Sequence, residues 1–102
     1  MAQNEKADTP TEYIAFVHSG NSSGFGVSFP DFPGCVTQGD TIDDALRLAR
    51  EALAFHVEGM SEDGEVIPEP RNTQQIEADP DLADWREGAF LAYVPLILAR
   101  GA

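Results

Sequence analysis

Basic residues are scarce in this chain: six Lys and Arg stand against eighteen Asp and Glu, a formal charge of −12 over 102 residues. A surface that negative repels a nucleic-acid backbone. It suits a basic protein partner, or serves solubility alone. Cysteine is nearly absent, and the single Cys35 permits neither an internal disulfide nor a thiolate zinc cluster. No apolar run approaches the roughly 18 residues that would span a bilayer. The opening MAQNEKADTPTE has no basic segment leading into an apolar one, so the expected location is the cytoplasm. A chain of this length has room for one core. It buries roughly 60–65% of its unfolded surface, which leaves apolar area for a partner or a second copy to cover.

The chemistry of an enzyme is missing too. Asp31, Asp40, Asp43, Asp44 and Glu51 invite a nuclease reading, because two-metal phosphodiester cleavage needs convergent carboxylates. Asp43 and Asp44, however, fit the start of a helix, and Asp31 and Asp40 fit turns. Cys35, His18 and His56 would supply three metal ligands with no close pair to nucleate a site. Gly20, Gly24 and Gly26 precede a strand rather than a helix N-terminus, so they form no phosphate loop. No catalytic residue, metal or cofactor is expected. Cys35 reads as a small buried hydrophobe and His56 as a partly buried packing residue.

What the sequence does contain is a clear order of elements. Residues 1–12 are polar and expected to fray. YIAFVH, Tyr13 to His18, is apolar enough for a central strand. After a glycine-rich loop, Phe25, Val27 and Phe29 alternate with Gly26 and Ser28, which is strand periodicity. Pro30 ends that strand, PDFPG turns the chain, and a short third strand is predicted from Cys35 to Gln38. Thr41 is placed to cap a helix, with Asp44 in the capping-box position. Ile42, Ala45, Leu46, Ala49, Leu53, Val57 and Met60 then lay an apolar stripe along a helix to about Glu58, fraying at Gly59. SEDGEVIPEPR, Ser61 to Arg71, reads as an extended loop with Val66 and Ile67 as anchors. A short helix is expected over Thr73–Ala78 and a turn over Asp81–Trp85. AFLAYV, Ala89 to Val94, is predicted as a strand covered on both faces, or by the helix on one face and a second copy on the other. Pro95 belongs past its paired region or at an edge. The result is an α+β domain in β-β-β-α-β order, one sheet with one principal helix on one face, filling residues 13–99.

Within this frame several residues form a specific ordered set: Tyr13, Phe25, Phe29-Pro30-Asp31, Pro33-Gly34-Cys35, Thr37, Gly39 and Thr41. Asp44-Ala45-Leu46, Ala49, Glu51-Ala52-Leu53, Gly64, Ile67-Pro68 and Pro70 continue it. Together these resemble the HicB family of antitoxins across about residues 13–70. The resemblance implies a partial ribonuclease H-like fold. It also implies neutralisation, by protein–protein contact, of a small basic mRNA-interferase toxin of the HicA type. Family members commonly carry a C-terminal DNA-binding module. Residues 100–102 add none, so no DNA binding is expected of the residues shown, and the charge of −12 points the same way. The alternative role is the oligomerisation module of a transcriptional autorepressor.

The partner-facing candidates follow from charge and aromaticity. Residues 61–87 hold nine of the carboxylates against only Arg71 and Arg86. Glu77, Asp79 and Asp81 therefore read either as a solvated face or as a rim opposing a basic toxin. Trp85, the one tryptophan, either covers the end of the sheet or anchors a partner. Phe29, Pro30, Asp31, Pro33, Gly34, Thr41, Ala45 and Leu46 are expected to be structural. The apolar runs near the end, AFLAYV and LIL, predict a homodimer or higher homo-oligomer.

Overall fold

Five consecutive residues, Tyr13 to Val17, are buried in the computed structural model, which describes residues 11–20 and 24–98. Side chains alternate across a strand, so unbroken burial requires cover on both faces. The strand (β1, Glu12–Ser19) accordingly lies inside the sheet. Its neighbours are β2 (Phe25–Ser28), followed by the edge strand β3 (Val36–Gly39), and, on the other side, the edge strand β4 (Phe90–Pro95). The order β3-β2-β1-β4 is antiparallel throughout. The expected α+β architecture is the one observed. The predicted fraying of residues 1–12 and the terminal residues 100–102 lie outside the described residues, apart from Thr11 and from Glu12, which opens β1.

The principal helix α1 (Ile42–Glu62) packs on one face, chiefly against β3 and β2. Thr41 caps it, its hydroxyl accepting from the Asp44 amide at 3.0 Å. Asp44 turns its carboxylate to Arg47 at 3.5 Å instead of completing the box. The buried row is Ala45, Ala49, Leu53 and Val57, spaced by four. Small residues at its start bring the helix very close to the sheet. A Cβ on Gly39 would lie 2.6 Å from the Ala45 backbone nitrogen, so only glycine fits at the end of β3. The helix runs four residues beyond the predicted Glu58. Gly59 stays helical, and the chain leaves the helix at Gly64, whose φ of +77° glycine adopts without strain.

The opposite face of β1 is covered by three short pieces: α2 (Thr73–Ala78), a 3₁₀ turn (Pro80–Leu82) and α3 (Ala83–Arg86). Ile76 and Leu82 bury against Ile14 and Phe16, with Trp85, Ala89 and Leu91 around them. A reciprocal capping box starts α2: Asn72 Oδ1 accepts from the Gln75 amide and Gln75 Oε1 from the Asn72 amide, both at 2.8 Å. Two expectations need correction. Val66 is no anchor, being 87% exposed, whereas Ile67 packs on the core. Nor is β4 covered on both faces within the chain. Phe90 is exposed on the helix side, where α1 sits over β2 and β3 and reaches β4 only lightly, and Tyr93 is exposed on the opposite face, beside Ile14 in register. Pro95 falls on this edge strand, opposite Glu12.

The apolar stripe therefore resolves into a fully buried row and a flank, Leu46 and Met60, that is only partly buried. Leu53→Ala is expected to lower the unfolding free energy by about 2–5 kcal/mol in urea denaturation, and Leu46→Ala by clearly less. Equal losses at the two positions would mean that the helix is rotated about its axis relative to this packing.

Candidate partner-binding surface

The turn after β2 is built as architecture. The Phe32 amide donates to the Phe29 carbonyl at 3.1 Å and the Cys35 amide to the Phe32 carbonyl at 3.0 Å, two successive reversals. Phe29, Phe32 and Cys35 fill the core, and Gly34 takes a φ of +93°. Phe32 stands edge-on to Tyr13 and to His56, with centroids 4.7 and 5.8 Å away. Burial pushes the Cys35 thiol up to about 11, so it stays protonated and unreactive at neutral pH.

Asp31 faces the other way, onto Arg71. One carboxylate oxygen accepts from Arg71 Nε at 2.6 Å and the other from the Arg71 amide at 3.0 Å. The same guanidinium donates to Asp79 at 2.9 Å and to the Pro30 carbonyl at 3.2 Å. The second Asp79 oxygen accepts from the Asp81 amide at 2.9 Å, starting the 3₁₀ turn. Only 3% of the Asp31 side chain and 30% of the Arg71 side chain are exposed. These carboxylate bonds hold the Arg71 guanidinium in its charged form, raising its pKa against the opposing effect of burial. One side chain thus joins the turn after β2 to the segment that covers the far face of the sheet. Arg71 is absent from the candidates above, since an ion pair between residues forty apart leaves no local pattern.

The four partner-facing candidates separate under this geometry. Glu77 and Asp81 are exposed on the cover segment. Asp79 is engaged within the chain by Arg71. Trp85 is half-buried, its ring edge-on to Phe16 with centroids 5.4 Å apart, and its carbonyl accepts from His18 Nε2 at 2.7 Å. The tryptophan therefore covers the sheet, the first of its two readings. Among the described residues no three His, Cys, Asp or Glu side chains gather as a metal site, and none of the helices is long and apolar enough to cross a membrane.

Two faces remain open. The cover segment stops short of β2 and β3, leaving behind them a shallow depression of about 460 Å³ bordered by His18, Gly26, Ser28, Val36 and Gln38, with no charged group. On the other side of the sheet the outer surface of α1 carries Phe55, 81% exposed, beside Ile97 from the exit of β4. Phe55 falls off the apolar stripe. An aromatic at such a position is a signal that helical periodicity alone makes available in the sequence.

Comparison with known proteins locates this architecture. The model of the HicB_like antitoxin of bacterial toxin-antitoxin system matches residues 13–94. Antitoxin HicB 1 of Photorhabdus laumondii is 45% identical over 60 residues, 59% of this chain and 39% of that protein. The chain spans less than half the length of the first curated relatives it matches. The crystal structure of the Burkholderia pseudomallei antitoxin HicB aligns with a TM-score of 0.71 at 36% identity, covering 87% of this chain and 65% of that one. A chain of the HicA3 and HicB3 toxin–antitoxin complex aligns at 0.68 and 32% identity, covering 85% and 99% respectively.

Removing Arg71 should strand a buried carboxylate. Arg71→Ala is expected to cost about 2–3 kcal/mol, below the usual range for a fully buried pair because the guanidinium is partly solvated. A double-mutant cycle with Asp31→Ala should show coupling of about 1–2 kcal/mol. Additive losses in thermal denaturation would show that the two residues act independently.

Proposed function

The chain belongs to the HicB-like antitoxins of bacterial toxin–antitoxin systems, and on that premise we propose that it binds and neutralises a small basic mRNA-interferase toxin of the HicA type by protein–protein contact, in the cytoplasm. The match over residues 13–94 carries this reading. The charge of −12 supports it, since a toxin that holds RNA phosphates presents cations to its inhibitor. The family is one of antitoxins, not of enzymes. Contact with DNA is not ascribed to these residues, because their net charge opposes it.

A second role, self-association, is favoured by the β4 edge. From Gly88 to Ala99 the sequence has no charged residue, and Phe90 and Tyr93 are exposed there. Edge strands normally carry charges or bulges that block pairing with another chain. A twofold axis beside β4 would pair two copies in antiparallel fashion through the least charged side of the molecule. In this respect the chain suits the alternative role of oligomerisation module for an autorepressor.

Two measurements test these readings. Co-expression with the small basic protein encoded beside it should restore growth that the toxin alone arrests, and the two should co-purify. Their association should slow as salt is raised from about 50 to 300 mM. Failure of both rescue and co-purification would refute the antitoxin role. Sedimentation equilibrium should give twice the 11.0 kDa chain mass. The monomer mass at every concentration would refute self-association through β4.

A further inference from the structure

The outer surface of α1 lies opposite its buried row, and solvated polar residues would suffice there. Phe55 sits two residues past Leu53, roughly 200° around the helix, and core packing does not account for it. One turn later stands Gly59, in a helix interior where glycine is the poorest helix former after proline. A Cβ there would meet nothing within 4 Å. The glycine is therefore not required by the chain's own packing, and it leaves the helix backbone without a side chain one turn from Phe55.

The exit of β4 brings more apolar surface to the same helix. Ile97, 59% exposed, borders a depression of about 410 Å³ shared with Ala54 and Phe55. Leu98 borders an adjoining one of about 380 Å³. Carboxylates rim both: Glu51 and Glu58 around the first, Glu58 and Glu62 around the second. Among the described lining residues Arg50 is the one cation, and Arg47 lies 3.6 Å from the Glu51 carboxylate. An exposed aromatic centre inside a charged rim is the anatomy of a protein-binding hot spot.

We propose that this face of α1, with Phe55 at its centre and the bare backbone of Gly59 one turn away, is the docking site for the basic partner; the assignment rests on the antitoxin reading above. Charge selects the occupant. A second copy docked face to face would bring the glutamates of both chains together across the twofold axis, whereas a basic partner pairs with them. The uncharged depression behind β2 and β3 offers nothing to a cation.

The test is the affinity of the purified toxin for the full chain and its variants, by calorimetry and stopped-flow association. Phe55→Ala is expected to weaken binding at least about tenfold. Gly59→Gln should also weaken binding while leaving the melting temperature unchanged or higher, which a purely structural role would not produce. Val66→Ala, an exposed apolar control elsewhere, should stay within about twofold. Glu58→Gln with Glu62→Gln should slow association at low salt more than Glu77→Gln with Asp81→Asn on the opposite face. Phe55→Ala and Gly59→Gln both within about twofold of the unmodified chain would overturn the assignment. So would a Phe55→Ala variant that turns a dimer into a monomer at unchanged toxin affinity, since the occupant would then be a second copy. Absence of binding by the unmodified chain would instead remove the antitoxin reading, and this assignment with it.

Discussion

A central strand buried on both faces must be roofed twice, and in this chain the two roofs are held by different physics. On one face α1 follows the sheet directly in sequence and packs through a row of alanines, Leu53 and Val57, close enough that Gly39 admits no side chain. On the other face the roof is three short helical pieces contributing little more than Ile76, Leu82 and Trp85. Six- and four-residue helices are not stable by themselves. They are held in place by the Asp31–Arg71–Asp79 cluster, by the capping box at Asn72, and by the His18 bond to the Trp85 carbonyl. Farther along the same linking segment, the Tyr13 hydroxyl donates to the Pro68 carbonyl at 2.7 Å. The ring-bearing strand thereby fixes the loop that leads to Arg71.

PDFPG and the Phe29 before it have a structural explanation at five positions. Phe29 and Phe32 enter the core, Gly34 supplies the left-handed backbone, and Asp31 with the Pro30 carbonyl receives the guanidinium that secures the far side. Such a motif identifies a fold well and says little about where a partner sits. Recognition belongs to whatever surface the architecture leaves unused. Here that surface includes the uncharged back of β2 and β3, an uncharged edge at β4, and an apolar, carboxylate-rimmed helix face on α1. The helix face differs from the other two in charge, so it suits a different partner.

Most of the architecture was legible in the sequence because it is written locally. Alternation placed β2, burial demand placed β1 at the centre, and Thr41 marked the helix start to the residue. The short helix Thr73–Ala78 was legible as well, whereas the Asn72–Gln75 box that starts it was not read from the sequence. What stayed hidden depends on distance along the chain. Nothing near Arg71 names Asp31 as its partner, so Asp79 looked like a free carboxylate when it is engaged in the cluster. The end of α1 was misplaced because glycine signals a stop only where the backbone turns left-handed, at Gly64 rather than Gly59. Trp85 stayed between two readings, cover for the sheet or partner anchor, because nothing near it in the sequence shows that Phe16 faces it. Phe55 is the reverse case, an aromatic whose exposure follows from its place off the buried stripe.

The proposed separation of fold motif from recognition surface is tested most directly by amide chemical-shift mapping of the isotopically labelled chain as the small basic protein proposed as its partner is added. The largest changes should fall on residues 51–62 of α1 and on Ile97 and Leu98, while the amides of the PDFPG turn and Arg71 stay near their free positions. Largest changes at that turn, or across the open back of β2 and β3, would contradict the assignment and make the motif itself the site of contact.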